Sequence, residues 1–222
     1  MCNTNKLNNQ WITHPVCAQN YMRRFTRQEL IITISILIFL VIISVPNFNL
    51  ALRRARDAQR RNDTRAISEV LIAYKDDLGY VPPANEKGEI LACMSDENKG
   101  KVLNETLKLD EYLSLLVPCR WGVDPLADLS SEDGKVYMPT LPRDPKFEEG
   151  TSYRYISTLM HFQILAYFEG EMDEDQYKAE VVTRNINCGN KICNFGFASE
   201  KTPLDKSLEE YENEIEELGD SN

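Results

Sequence analysis

The stretch "RRFTRQELIITISILIFLVIISVPNFNLALRR", residues 23–54, carries no charge from Leu30 to Leu52. A bilayer core of roughly 30 Å needs about 20 mostly apolar residues at about 1.5 Å per residue, so the run predicts one membrane-spanning helix with some tilt. It is too long to be only the core of a secretory signal, and no A-x-A-like cleavage site follows it. One acid, Glu29, stands immediately before it, at the lip of the hydrocarbon. No second apolar run approaches this length, so the 170 residues from Arg53 onward read as one soluble domain.

The helical pattern continues beyond Pro46. Ile67, Leu71, Tyr74 and Leu78 recur at i, i+4, i+7 and i+11, with Ala66 and Val70 beside them, while Arg65, Glu69 and Asp76 fall on the opposite face. Gly79 stops the helix and Pro82-Pro83 reinforce the stop. The element therefore spans about 26 to 78: a membrane half (25–52) and an amphipathic half (53–78) that serves as the spine of the domain. Pro46 is expected to bend it, because proline removes one backbone hydrogen bond and crowds the preceding turn.

Charge is distributed unevenly along the chain. Arg53, Arg54, Arg56, Arg60, Arg61 and Arg65 follow the apolar run, opposed only by Asp57 and Asp63. Beyond Arg65, 15 of the 25 Lys and Arg face 32 of the 35 acids, a balance of −17. Such a domain repels nucleic acid, so no nucleic-acid partner is expected. The arginine cluster suits lipid head groups or helix pairing better than free phosphates.

Two topology signals conflict. Six arginines after the span against four basic residues before it favour a cytoplasmic domain. The even set Cys93, Cys119, Cys188 and Cys193 favours an exterior one, where disulfides persist. A Cys188–Cys193 bridge closes a short loop with Gly189 and Asn190 as turn residues, which leaves Cys93 to Cys119; buried free thiols are the other reading of the four. The spacing of Cys188 and Cys193 is not C-x-x-C, and with only His14 and His161 in the chain no metal site is expected.

The N-terminal segment resembles that of type IV pilins and the pseudopilins of type II secretion: a hydrophilic leader (1–24), Phe25 where the mature chain starts, Thr26, Glu29 as the fifth residue from Phe25, an apolar span, and Pro46 at the twenty-second. "RRARDAQRRNDTRAISEVLIAYKDDLGYVPP" is similar to the helix continuation of such proteins, and "LPRDPKFEEGTSYRYIS" resembles one of their strand and loop segments. The likeness covers the first third strongly. It implies an α+β, pilin-like fold: a long N-terminal helix packed on a small antiparallel sheet domain (79–203), then an acidic tail or C-terminal helix (204–222). It implies a structural filament subunit, held in a bacterial membrane with its C-terminal domain exterior before assembly. Its partners would be other copies or related pilin-like subunits, a prepilin peptidase cutting between Arg24 and Phe25, and an inner-membrane assembly platform.

In that family the acid in Glu29's place is thought to pair with the N-terminal amine of a neighbouring subunit, which makes Phe25, Glu29 and Pro46 the assembly residues. A carboxylate entering lipid is costly unless neutralised, so amine pairing in register is favourable. Arg24 departs from the small residue the family carries before the cut. Either the peptidase is permissive, the chain is cut poorly, or Phe25 is not the mature terminus; Met22 is an alternative start. The competing reading is an anchored exterior binding or sensor domain that does not polymerise.

Distally, "LDEYLSLLV" (109–117) predicts a short helix, "SYRYIS" and "HFQILAYFEG" predict strands, and Leu208, Tyr211, Ile215 and Leu218 share one face of a terminal helix or acidic tail. No nucleophile or phosphate-loop motif occurs, and His161 reads as a strand side chain, so neither catalysis nor a cofactor is expected. "DPLADLSSEDG" and "EGEMDEDQY" do not match a calcium loop and read as solvated acidic loops.

Overall fold

A computed structural model describes residues 6–7, 10–11, 26–104, 107–170 and 178–219 of the chain. The leader-processing pair Arg24 and Phe25 lies outside them. The chain forms two compact units, Met1–Phe48 and Asn49–Asn222.

In the first unit β1 (Lys6–Leu7) pairs antiparallel with β2 (Gln10–Trp11), and α1 (Arg27–Leu78) begins. Pro46 falls inside the helical range of α1, and its side chain is outside the described set. The helix ends as its sequence predicts. Gly79 takes φ +82°, the left-handed conformation in which a side chain is strained, and its N–H donates to Lys75 O at 2.8 Å.

The second unit is α+β with small antiparallel sheets. After α1 come β3 (Leu91–Cys93), α2 (Asp96–Asn104), α3 (Leu109–Ser114), β4 (Val117–Pro118), β5 (Leu126–Ala127) and β6 (Val136–Met138). Then follow β7 (Arg154–Ser157), β8 (Phe162–Ala166), α4 (Ala179–Thr183), β9 (Asn187–Cys188), β10 (Lys191–Ile192), β11 (Phe195–Ala198) and α5 (Leu208–Gly219). β3 pairs with β4, β5 with β6 and β9 with β10, while β11-β8-β7 make a three-stranded sheet with Tyr155 opposite Ile164 and Gly196 opposite Leu165.

β8 is buried along its whole length, and its alternation sorts two cores. Phe162, Ile164 and Ala166 join Ile67, Leu71 and Tyr74 of α1 in the main cluster. Leu165 points the other way, to Val181, Cys188 and Cys193. Gln163, on that second side, is fully buried yet satisfied: its amide nitrogen donates to Pro203 O (2.6 Å) and Lys206 O (3.1 Å), and its carbonyl accepts from Arg184 Nη1 (2.8 Å). The stripe read from the periodicity of α1 is thus its inward face, and Arg65, Glu69 and Asp76 are exposed.

Three expectations change in detail. The helix expected over 109–117 stops at Ser114, because Val117 and Pro118 pair with Cys93 and Leu91 as a strand. The acidic terminus is helical, but only Leu208 of its apolar face is buried; Ile215 is 42% and Leu218 68% exposed. His161 lies not in the strand but in the turn before it, where its Nδ1 is 2.7 Å from Glu212 Oε1 and its ring meets Tyr211 edge-on. Thr158 Oγ1 donates to the same Glu212 oxygen. His161 therefore joins the β7–β8 turn to α5.

Candidate assembly helix and its charge network

At the start of α1, Thr26 N–H donates to Glu29 Oε2 at 2.9 Å, and Glu29 N–H donates to Thr26 Oγ1 at 3.3 Å. This is a capping box, in which each side chain satisfies a backbone donor the first helical turn leaves unpaired. Glu29 therefore has a partner within its own chain, and the Thr-x-x-Glu spacing was the signal for it.

The apolar run that follows is exposed along its length, with Ile31 at 66% and Phe39 at 62%. Its polar side chains close on their own helix. Thr33 Oγ1 donates to Glu29 O (2.8 Å), Ser35 Oγ to Ile31 O (2.6 Å) and Asn47 Nδ2 to Ile43 O (3.1 Å). Such back-bonding leaves those donors with no need of water, the condition hydrocarbon imposes. Among the described residues α1 alone is long and apolar enough to cross a membrane.

Within the second unit, the arginine cluster is not one lipid-facing patch. Arg60 is fully buried. Its Nε and Nη2 donate to Asp144 Oδ2 (2.7 Å) and Oδ1 (3.1 Å), and its Nη1 donates to Asp57 Oδ1 (2.8 Å) and Glu169 Oε1 (2.9 Å). Arg56 grips Glu169 with two bonds, at 2.7 and 2.6 Å. Asp57 also accepts the N–H groups of Glu169 (2.9 Å) and Gly170 (3.0 Å). Lys146 Nζ lies 3.8 Å from Glu169, so three cations meet three carboxylates.

Burying a charge is affordable only when it is paired and its hydrogen-bonding groups are filled, as they are here. Burial alone would lower the Arg60 pKa, but Asp144, Glu169 and Asp57 outweigh it and raise it. Next to this network, Asp63 accepts from Tyr153 Oη at 2.7 Å. Of the remaining arginines, Arg65 pairs with Glu69 at 2.9 Å, Arg61 lies 5.9 Å from the Phe195 ring, and Arg53 and Arg54 have no ion pair among the described residues. The lipid-contact expectation is therefore corrected for Arg56 and Arg60, which lock α1 to the segments around Asp144 and Glu169. One signal was legible: Arg60 stands seven residues before Ile67, in phase with the apolar stripe.

Glu169 carries a pH consequence. Burial pushes its carboxyl up, but the Arg56 and Arg60 guanidiniums prevail and hold it at about 2, against an ordinary 4.5. A depressed carboxylate stabilises the fold fully above the unfolded value and progressively less as pH falls from 4.5 toward 2. Glu169→Gln is expected to melt well below the natural protein at neutral pH, with the gap closing across that window; a gap independent of pH would refute the assignment.

Two disulfides close the unit. Cys93–Cys119 spans 26 residues with Cα atoms 5.1 Å apart, and Cys188–Cys193 spans 5 with 5.2 Å. The second sits in the β9–β10 hairpin, whose Gly189 (φ +73°) approaches Gly150 so closely that an added Cβ would lie 2.0 Å from its carbonyl oxygen. Among the described residues no group of three or more His, Cys, Asp and Glu is placed to hold a metal ion. Most of "EGEMDEDQY" (171–177) lies outside them. No family model, no curated protein and no solved structure matches the chain.

Proposed function

We propose that this chain is a pilin-like structural subunit of a type IV pilus or pseudopilus filament, anchored in a bacterial membrane through the first half of α1 and carrying its disulfide-bonded domain outside. The carrying observation is α1 itself: an exposed apolar half headed by Glu29 runs into an amphipathic half embedded in the domain core. Exposed apolar surface of this extent needs lipid or protein around it, and a subunit that moves from membrane to filament uses both. The two bridges suit an oxidising compartment. In this reading the partners are other copies or related subunits, a prepilin peptidase acting between Arg24 and Phe25, and a membrane assembly platform.

One observation favours a second reading, an anchored binding or sensor domain that never polymerises. The Glu29 carboxylate is already used in capping its own helix. Two substitutions separate the readings. Glu29→Ala removes charge and cap together, whereas Glu29→Gln keeps an acceptor for the Thr26 N–H and removes only the charge. Both variants are expected to insert normally, and both to fall at least about tenfold in sheared filaments, the scale of a lost buried ion pair. Normal incorporation of the Gln variant would reduce Glu29 to a cap. A chain that fails to begin at Phe25 in every membrane-extracted sample would favour the anchored reading.

A further inference from the structure

The two disulfides differ in what surrounds their sulfurs. Cys188 and Cys193 are fully buried beneath the three-stranded sheet, packed with Leu165 and Val181. Cys119 is also closed off, at 1% exposure, but Cys93 is partly exposed. Cys93 lines an open cavity of about 300 Å³ whose wall includes Val117, Lys99, Arg120 and Asp124. The Asp124 carboxylate is held by Arg120 Nη2 and Nε at 2.8 and 3.0 Å and Lys99 Nζ lies 3.7 Å from Asp96, so the charges of the wall are paired.

Thiol–disulfide exchange requires a thiolate to reach one sulfur of the bridge, so access selects the sulfur that is attacked. Of the four bonded cysteines, only Cys93 has an opening beside it, since Cys119, Cys188 and Cys193 are each at most 1% exposed. We infer that Cys93 is the entry point for exchange with a dithiol partner, a small dithiol or an oxidoreductase of the Cys-x-x-Cys kind, and that the Cys93–Cys119 bridge opens while Cys188–Cys193 stays closed.

The step balances as a two-electron transfer. A thiolate of the dithiol attacks Cys93 Sγ, the Cys93–Cys119 bond breaks, and Cys119 leaves as a thiolate that takes up a proton. The second thiol of the partner then attacks the mixed disulfide, leaving the partner oxidised and Cys93 reduced. Run backward, the same path lets an oxidised partner install the bridge.

What opens is also defined. The bridge brackets residues 94–118, which carry α2 and α3 over a satellite core of Met94, Tyr112 and Leu116, separate from the main cluster. Apart from the bridge, the segment is held by the β3–β4 pairs Leu91 with Pro118 and Cys93 with Val117, by the Cys119 N–H donating to Ile90 O at 2.9 Å, and by Tyr80, Leu91 and Leu129 packed against its satellite core. Cys119 and Cys93 sit at the edge of the main cluster, whose α1 and β8 side chains pack on one another without the bridge, so reduction loosens the α2–α3 segment before the α1–β8 core. This holds whether or not the chain polymerises.

The test uses the full chain in detergent micelles, titrated with dithiothreitol, with released thiols alkylated and mapped. Cys93 and Cys119 are expected to become alkylated at about tenfold lower dithiol than Cys188 and Cys193. A Cys-x-x-Cys oxidoreductase lacking its second cysteine is expected to be trapped on Cys93. Amide exchange should rise over α2, α3 and β4 and stay unchanged over β8 and β11 at the concentration that opens the first bridge. Simultaneous reduction of both bridges, earlier opening of Cys188–Cys193, an adduct on Cys119, resistance of both bridges, or a rise in exchange throughout the domain would each overturn the inference.

Discussion

Arg60→Ala is expected to lower the unfolding free energy by about 3–5 kcal/mol, the cost of stranding buried acids without their counter-charge. Asp144 has no solvent-exposed side-chain surface, and two of its bonds end on Arg60; Asp57 and Glu169 each lose one more. Exposed Arg54, one helical face away and without an ion pair among the described residues, supplies the control: Arg54→Ala is expected to change stability by less than about 0.5 kcal/mol. Chemical denaturation followed by far-ultraviolet circular dichroism measures both. The double variant Arg60→Met with Asp144→Asn removes the main charge pair while keeping side-chain volume, and is expected to recover part of the loss. Equal effects of Arg60→Ala and Arg54→Ala would show that the network does not hold the fold.

Removing Cys93–Cys119 by a double alanine substitution is expected to cost about 3.5 kcal/mol, the loop-closure entropy for its 26-residue separation, against about 2 kcal/mol for the 5-residue Cys188–Cys193 bridge. The ranking is the informative part, because the shorter bridge has both sulfurs fully buried while the longer one has only Cys119 so enclosed. Unfolding midpoints of the two double variants under identical conditions give the order. A larger loss for the hairpin bridge would mean that packing around Leu165 and Val181, rather than loop closure, dominates.

The sequence by itself determined what is local. The range of α1, its inward stripe of Ile67, Leu71 and Tyr74, its stop at Gly79 and the strands around Tyr155 and Ile164 all follow from periods of 3.6 and 2 and from one left-handed glycine. The Cys188–Cys193 pairing was one of two readings, because a five-residue spacing permits a bridge without demanding one. Tertiary structure decided the partners of the arginines. Six of them follow the apolar run; phase with the stripe places Arg60 on the covered face and Arg54 off it, but nothing in the sequence names the acid 84 positions away that Arg60 meets. Arg56 meets Glu169 across 113 positions and Tyr153 meets Asp63 across 90. Periodicity reports which face of a helix is covered, but a charge pair forms only where the fold brings two distant segments within about 3 Å and excludes water, and that distance is a property of the packed chain.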